Sequence, residues 1–244
     1  MDKGIKIFFI TLFWGLIIGF LMAVGQIVPI YIYALFTEPR VSLNDLRGLM
    51  GLVKEDAFLL AITAIGSTLF VVPFVLGIAK LQKRWTLRDF FDFNPVSFKT
   101  LKFWFFIAVV LLFVQDYLLP IFAKQEIPDF MMNITYPSEF SKWLLVFGVA
   151  FMSPILEELI FRGYLLKGFA HSFIGVYGAI VLTSAIWAVI HFQYEVVYLV
   201  MIFVIGLVLG YARFKANSIY VPIMMHIFFN FVAAIELYVE KGIL

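Results

Sequence analysis

Cysteine is absent from this chain of 244 residues, and charge is scarce: 14% of the residues are charged against 64% hydrophobic. Without cysteine there are no disulfides, no thiolate nucleophiles and no Cys-ligated metals. So little charge excludes a soluble domain of this length, which needs far more polar surface to stay dispersed. No basic run with interleaved aromatics is present, so nucleic acid is not an expected partner. A net charge of +2 says little by itself, because position matters more than the sum in a membrane protein. Internal repeats, low-complexity tracts and a His-Glu-x-x-His signature are also missing, and the last absence disfavours the usual metalloprotease helix.

What is present is a series of apolar runs long enough to cross a bilayer, which takes about 20 residues per helix. Seven are read: Ile7 to Phe36, Ala57 to Ala79, Leu101 to Ala123, Trp143 to Phe169, Phe173 to Phe192, Val196 to Phe214 and Ile219 to Val239. The first is too long for a signal-peptide core of roughly 7 to 15 residues, so it is expected to be a helix. Its length implies either a strong tilt or a break near Gly25 and Pro29, which would add an eighth crossing. Polar connections of at most about 20 residues are too short to fold alone. Residues 1–244 therefore read as a single all-α, polytopic membrane domain, a bundle of seven or eight transmembrane helices around a polar cavity, with lipids as its surroundings.

Lys and Arg in the connections orient the bundle. With a cytoplasmic N-terminus, 12 of the 18 basic residues fall inside, among them Arg84, Arg162 and Arg213. Six fall outside: Arg40, Arg47, Lys54, Lys124, Lys142 and Lys241. The bias predicts an N-terminus inside. Trp85, Trp104 and Trp143 near span ends suit interfacial anchoring.

Against this background Glu157, Glu158, Arg162, His191, His226 and Asn230 stand out, because an ionisable group at mid-membrane costs about 2.5 to 3.5 kcal/mol. Such groups persist where they pair, face the bundle interior or line a wet cavity. Pro154 lacks an N–H, so the fourth helix is expected to kink or restart there, capped by Ser153, with both carboxylates in its first turn. Glu158 and Arg162, at i and i+4, suit an ion pair. Glu157 is turned about 100° away and lacks a local partner, which makes it the candidate base. His226 and Asn230 share one helix face, and Pro222 a turn earlier is expected to loosen that helix. Each group also has a bland role: a lone His or Asn usually bonds helices together, and an i,i+4 pair is often structural. Asp116 and His171 read as snorkelling and solvated. Two glutamates, two histidines and an asparagine on three helices are harder to dismiss together.

Peptide hydrolysis needs an activated water, a proton carrier and donors for a tetrahedral oxyanion. Glu157 suits the first role and His191 the second, while His226 and Asn230 are oxyanion donors. No Ser or Cys in the set is a plausible nucleophile. A zinc ion on Glu157, His191 and His226 is the alternative, three ligands plus water being an ordinary catalytic arrangement. The preferred scheme needs no cofactor. Because His191 ends the fifth segment, it can meet Glu157 only if that helix starts late, around Tyr177, or if the turn from His191 to Glu195 dips into the bundle.

The ordered set Glu157-Glu158-x-x-x-Arg162, Trp187-x-x-x-His191 and His226-x-x-x-Asn230 resembles the CPBP family, the CAAX-processing and bacteriocin-processing or immunity proteins, which include type II CAAX prenyl endopeptidases. The resemblance covers roughly residues 140–235, the motif-bearing core. It implies eight crossings, the first glutamate as water-activating base, the histidines and asparagine completing the site, and a membrane-associated or lipidated peptide as substrate. Trp187 departs from the usual Phe of the second motif, an exchange of aromatics expected to leave the chemistry untouched. A multi-pass protein of the bacterial cytoplasmic membrane is implied. Rival readings are a catalytically silent immunity or scaffold protein that binds a peptide, and a proton-coupled transporter. The transporter is disfavoured because the polar cluster occupies only the C-terminal half.

Overall fold

The computed structural model describes residues 2–37, 55–83, 85–123 and 127–244. Arg40, Arg47, Lys54, Arg84 and Lys124 of the charge count lie outside them. The helices are α1 (Lys3–Thr37), α2 (Ala57–Leu81), α3 (Leu87–Phe91), α4 (Phe98–Phe122), α5 (Asp129–Met132), α6 (Glu139–Ala170), α7 (Gly175–Val189), α8 (Val196–Ala216) and α9 (Tyr220–Glu240). Among the described residues, six are long and apolar enough to span a membrane, and α7 is a shorter apolar helix. The chain is an all-α, multi-pass integral membrane protein.

Long apolar stretches make these helices because a lipid-embedded backbone must satisfy its own polar groups. Their starts are set by the side chains that accept the first free N–H groups. Asp56 accepts from Phe58 and Leu59, Ser97 from Thr100, and Ser138 forms a reciprocal cap with Ser141. Of the two expected alternatives, tilt or break, there is no break: α1 runs for 35 residues through Gly25 and Pro29, about 52 Å at ~1.5 Å per residue. A helix of that length requires tilt or protrusion to fit one bilayer. Pro222 does not loosen α9 either. It sits in the first turn, where its missing N–H has no partner to lose. Trp104 is no interfacial anchor; it is buried in the core.

Helix α6 departs most from the expected form. It neither restarts at Pro154 nor is capped by Ser153, whose backbone is helical. Instead two wide π-turns, Val146–Met152 and Leu159–Leu165, flank the segment Ser153–Glu158. The Ser153 N–H reaches back five residues to the Gly148 carbonyl. In that register the Val149 carbonyl faces Pro154, which has no N–H to give. The proline is thus absorbed by a shifted ladder rather than by a break. The two glutamates consequently occupy the middle of a 32-residue helix, not its first turn.

Two polar belts tie the helix ends together. At one, Asp92 bridges Lys167 of α6 at 3.3 Å and Arg213 of α8 at 2.6 Å, and its carbonyl accepts the Ile219 N–H entering α9. The Gln82 amide after α2 donates to the Tyr164 hydroxyl at 2.7 Å. At the other, the Lys142 ammonium donates to the Ile243 carbonyl, Tyr238 to the Lys142 carbonyl, and Lys241 to the Met132 carbonyl. The ends of α2, α6 and α8 and the start of α9 therefore share one side. Arg162 drops out of the loop charge count, because its side chain is fully buried.

Close helix contact at the first π-turn needs a missing side chain. A Cβ on Gly148 would meet the Ala61 carbonyl oxygen at 3.0 Å and the Ala61 Cα at 3.2 Å, whereas one on Gly19 meets nothing within 4 Å. Gly148→Ala is expected to destabilise the detergent-solubilised protein by about 1–3 kcal/mol through overpacking. Gly19→Ala should stabilise it by about 0.5–1 kcal/mol. Thermal unfolding midpoints of the two variants check the opposite signs.

Candidate active site

The site is built where α6, α7 and α9 face one another. The second half of α6 is buried almost throughout, and Glu158 and Arg162 are both 0% exposed. As their spacing predicts, Arg162 Nη1 donates to Glu158 Oε1, at 2.7 Å. The same carboxylate oxygen lies 2.9 Å from His226 Nδ1. With Glu158 as the acceptor, Nδ1 carries the hydrogen and the imidazole presents Nε2 on its other edge. That edge faces Glu157, with 4.0 Å between His226 Nε2 and Glu157 Oε2. Glu157 keeps 14% of its side chain exposed, so it is the accessible member of the glutamate pair.

Arg162 is held by more than its carboxylate. Its guanidinium stands 4.2 Å over the Trp187 ring, and Nη2 lies 3.4 Å from the Gly206 carbonyl. A Cβ on Gly206 would come within 2.9 Å of the Ser184 Cβ and 3.2 Å of Arg162 Nη2, so the missing side chain admits both α7 and the guanidinium. Ser184 and Thr183 return their hydroxyls to carbonyls of their own helix and stay out of the site.

The expectation that Glu157 lacks a partner holds only within α6. Across the helix interface the Trp187 indole N–H donates to Glu157 Oε2 at 2.6 Å. Trp187 therefore does more than pack: it bonds the carboxylate that is the candidate base. The reason is the indole nitrogen, a donor that a phenyl ring lacks. Only the identity of the residue hinted at this, since the partner lies 30 positions away in sequence.

His191 and Asn230 are placed at the margins. His191 Nδ1 lies 2.7 Å from the Trp187 carbonyl of its own helix, and its ring meets the Trp187 ring edge-on at 5.4 Å. Helix α7 starts at Gly175, near the late start that the geometry demands, and has only 15 residues. The turn after it does not sink into the bundle: Phe192, Gln193 and Glu195 are exposed, while His191 and Tyr194 are half-buried. Tyr194 packs against His191 at 6.1 Å and Phe130 at 5.1 Å. Asn230 Nδ2 donates to the Val149 carbonyl at 3.0 Å, the group stranded by Pro154. One of its two amide hydrogens is thereby committed to the π-turn. His171 meets the Trp85 ring edge-on at 5.0 Å and is not part of this cluster.

Among the described residues, no group of three or more His, Asp or Glu side chains is arranged to hold a metal ion. The Glu157, His191 and His226 set weighed for zinc is thus not gathered around one point. Glu158 Oε2 and Arg162 Nε, both buried, have no hydrogen-bond partner.

Comparison with known proteins bears on the same segment. Residues 139–232 match the family model described as type II CAAX prenyl endopeptidase Rce1-like. A curated relative, an uncharacterized 24.3 kDa protein of Escherichia coli, is 27% identical over 115 residues, covering 46% of this chain and 47% of that protein. The match thus spans about half of the relative's length. No solved structure matches. All the polar groups gathered above fall inside the matched segment, which takes in 94 of the 244 residues.

Proposed function

We propose that this protein is an intramembrane endopeptidase that hydrolyses a peptide bond in a membrane-associated or lipidated peptide, with Glu157 activating the water. The family points to a CAAX-type protease in general terms. The observation that carries the finer reading is the 4.0 Å gap between Glu157 Oε2 and His226 Nε2. One water about 2.8 Å from each atom fits such a gap, at hydrogen-bond distance from both. Glu158 and Arg162 serve this pair by fixing the imidazole, and they do not touch the water.

Atoms and charges balance in two steps. The water oxygen attacks the peptide carbonyl carbon while Glu157 takes its proton, and the carbonyl electrons move onto oxygen. When the tetrahedral species collapses, the C–N bond breaks and the proton is delivered to the leaving nitrogen, with His226 Nε2 placed to relay it. The products are a carboxylic acid and an amine, and the acid's proton then passes to the amine to leave a carboxylate and an ammonium. Asn230 retains one amide hydrogen beyond that given to Val149 and is the donor assigned to the oxyanion; His226 and His191, whose Nδ1–H groups go to Glu158 and to the Trp187 carbonyl, present bare Nε2 atoms and carry protons instead. No cofactor enters this scheme.

Three substitutions separate the roles. With a farnesylated CAAX-type peptide as probe and protein in liposomes, Glu157→Gln should lower kcat/KM by at least about 10²-fold while the fold is kept. Full cleavage by Glu157→Gln overturns hydrolysis by this carboxylate. If neither protein acts on that probe, membrane peptides compared between wild-type and Glu157→Gln cells identify the substrate, and identical peptide pools favour binding without hydrolysis. Asn230→Ala should cost about 10²–10³-fold in kcat. Arg162→Met, which leaves Glu158 buried without its cation, should instead lower stability by about 3–5 kcal/mol, read as a fall in the thermal midpoint.

A further inference from the structure

We propose that Trp187 is a positioning residue for the reaction: its indole N–H aims the Glu157 carboxylate at His226. The inference rests on the reading of Glu157 as the base. Several groups face Glu157. Glu158 and Arg162 come from its own helix, His226 from α9, and Trp187 from α7, while Tyr194 on the turn after α7 stands within electrostatic reach. Among the described residues, the hydrogen bond to its side chain comes from Trp187.

The indole suits this task for three reasons. It is a donor only, so it neither accepts the proton that Glu157 removes nor competes for the water. It is immobile, being 3% exposed. The Arg162 guanidinium covers one face at 4.2 Å, and the His191 and His226 rings stand edge-on at 5.4 and 5.1 Å. Finally, its hydrogen bond engages Oε2, the same oxygen that faces His226 Nε2. An ionised carboxylate on a free side chain would sample several rotamers. Held by a short charge-assisted bond to a fixed ring, it keeps one. The cation over the ring also links the buried ion pair to the base, because Arg162 polarises the indole that Glu157 accepts from. Phenylalanine at this position fills the space but offers no N–H, so the hydrogen bond is specific to tryptophan here.

Two measurements test this. The first needs no substrate. In ¹H–¹⁵N spectra of the detergent-solubilised full chain, the Trp187 indole signal, assigned by its loss in Trp187→Phe, should move upfield in Glu157→Gln, where an amide replaces the carboxylate acceptor. An unmoved signal overturns the hydrogen bond and the inference with it. The second uses the farnesylated peptide, or the substrate identified from cells. Replacing Trp187 with 3-benzothienylalanine keeps the ring shape and removes the N–H, and it should reduce kcat by about 10²-fold with KM unchanged. Trp187→Phe should lose at least as much. If Glu157→Gln abolishes turnover while the benzothienyl variant retains wild-type kcat, Trp187 is a packing residue and the base assignment stands. If Glu157→Gln itself turns over normally, the base assignment fails first.

Discussion

The ion pair between Glu158 and Arg162 governs this half of the molecule. Both side chains are wholly withdrawn from solvent, which costs several kcal/mol per ion unless geometry and further hydrogen bonds compensate. One contact at 2.7 Å on a single helix does not suffice, and the structure completes it from three others. Helix α9 brings His226 to the same glutamate oxygen, α7 lays Trp187 under the guanidinium, and α8 turns the Gly206 carbonyl toward Nη2. The pair therefore sets which helices must meet. Its own satisfaction is incomplete, since Glu158 Oε2 and Arg162 Nε have no hydrogen-bond partner.

That geometry also depends on the irregular winding of α6. Each π-turn inserts a wider loop in the ladder and rotates the helix beyond it, and such turns concentrate at functional sites. Here the first displaces a carbonyl that Asn230 takes up, and the Thr68 hydroxyl of α2 donates to the carbonyl of its last residue, Met152, 3.1 Å away. Asn230 thus joins α9 to α6 at the point where the register shifts, a few residues before Glu157. A polar residue that reads as chemistry in the sequence has a structural duty as well, and the two do not conflict because an amide has two hydrogens.

The range of each interaction decides how much of this was visible in the residues. The spans were legible because a bilayer imposes its thickness directly on composition, and the Glu158–Arg162 pair was legible because i and i+4 are neighbours on any helix. Pro154 and Pro222 were misjudged, and Pro29 left undecided, for a common reason. The cost of a proline depends on whether its carbonyl partner finds another donor or never had one, and that is a property of the surrounding structure. Pro222 lost nothing in a first turn, Pro154 was accommodated by a five-residue reach, and Pro29 lies within an unbroken α1. The Trp187–Glu157 bond was out of reach because it joins two helices whose relative rotation is set by π-turns without a sequence signature of their own.

The brevity of α7 has a consequence for the surrounding lipid. Fifteen residues rise about 22 Å, against a hydrocarbon layer of about 30 Å. Acyl chains beside this helix must compress, or head groups and solvent must descend to meet Gln193 and Glu195 at its tip. Either response forms a local dimple in one leaflet. Such a dimple would deliver water to within a turn or two of His191 without any channel through the protein.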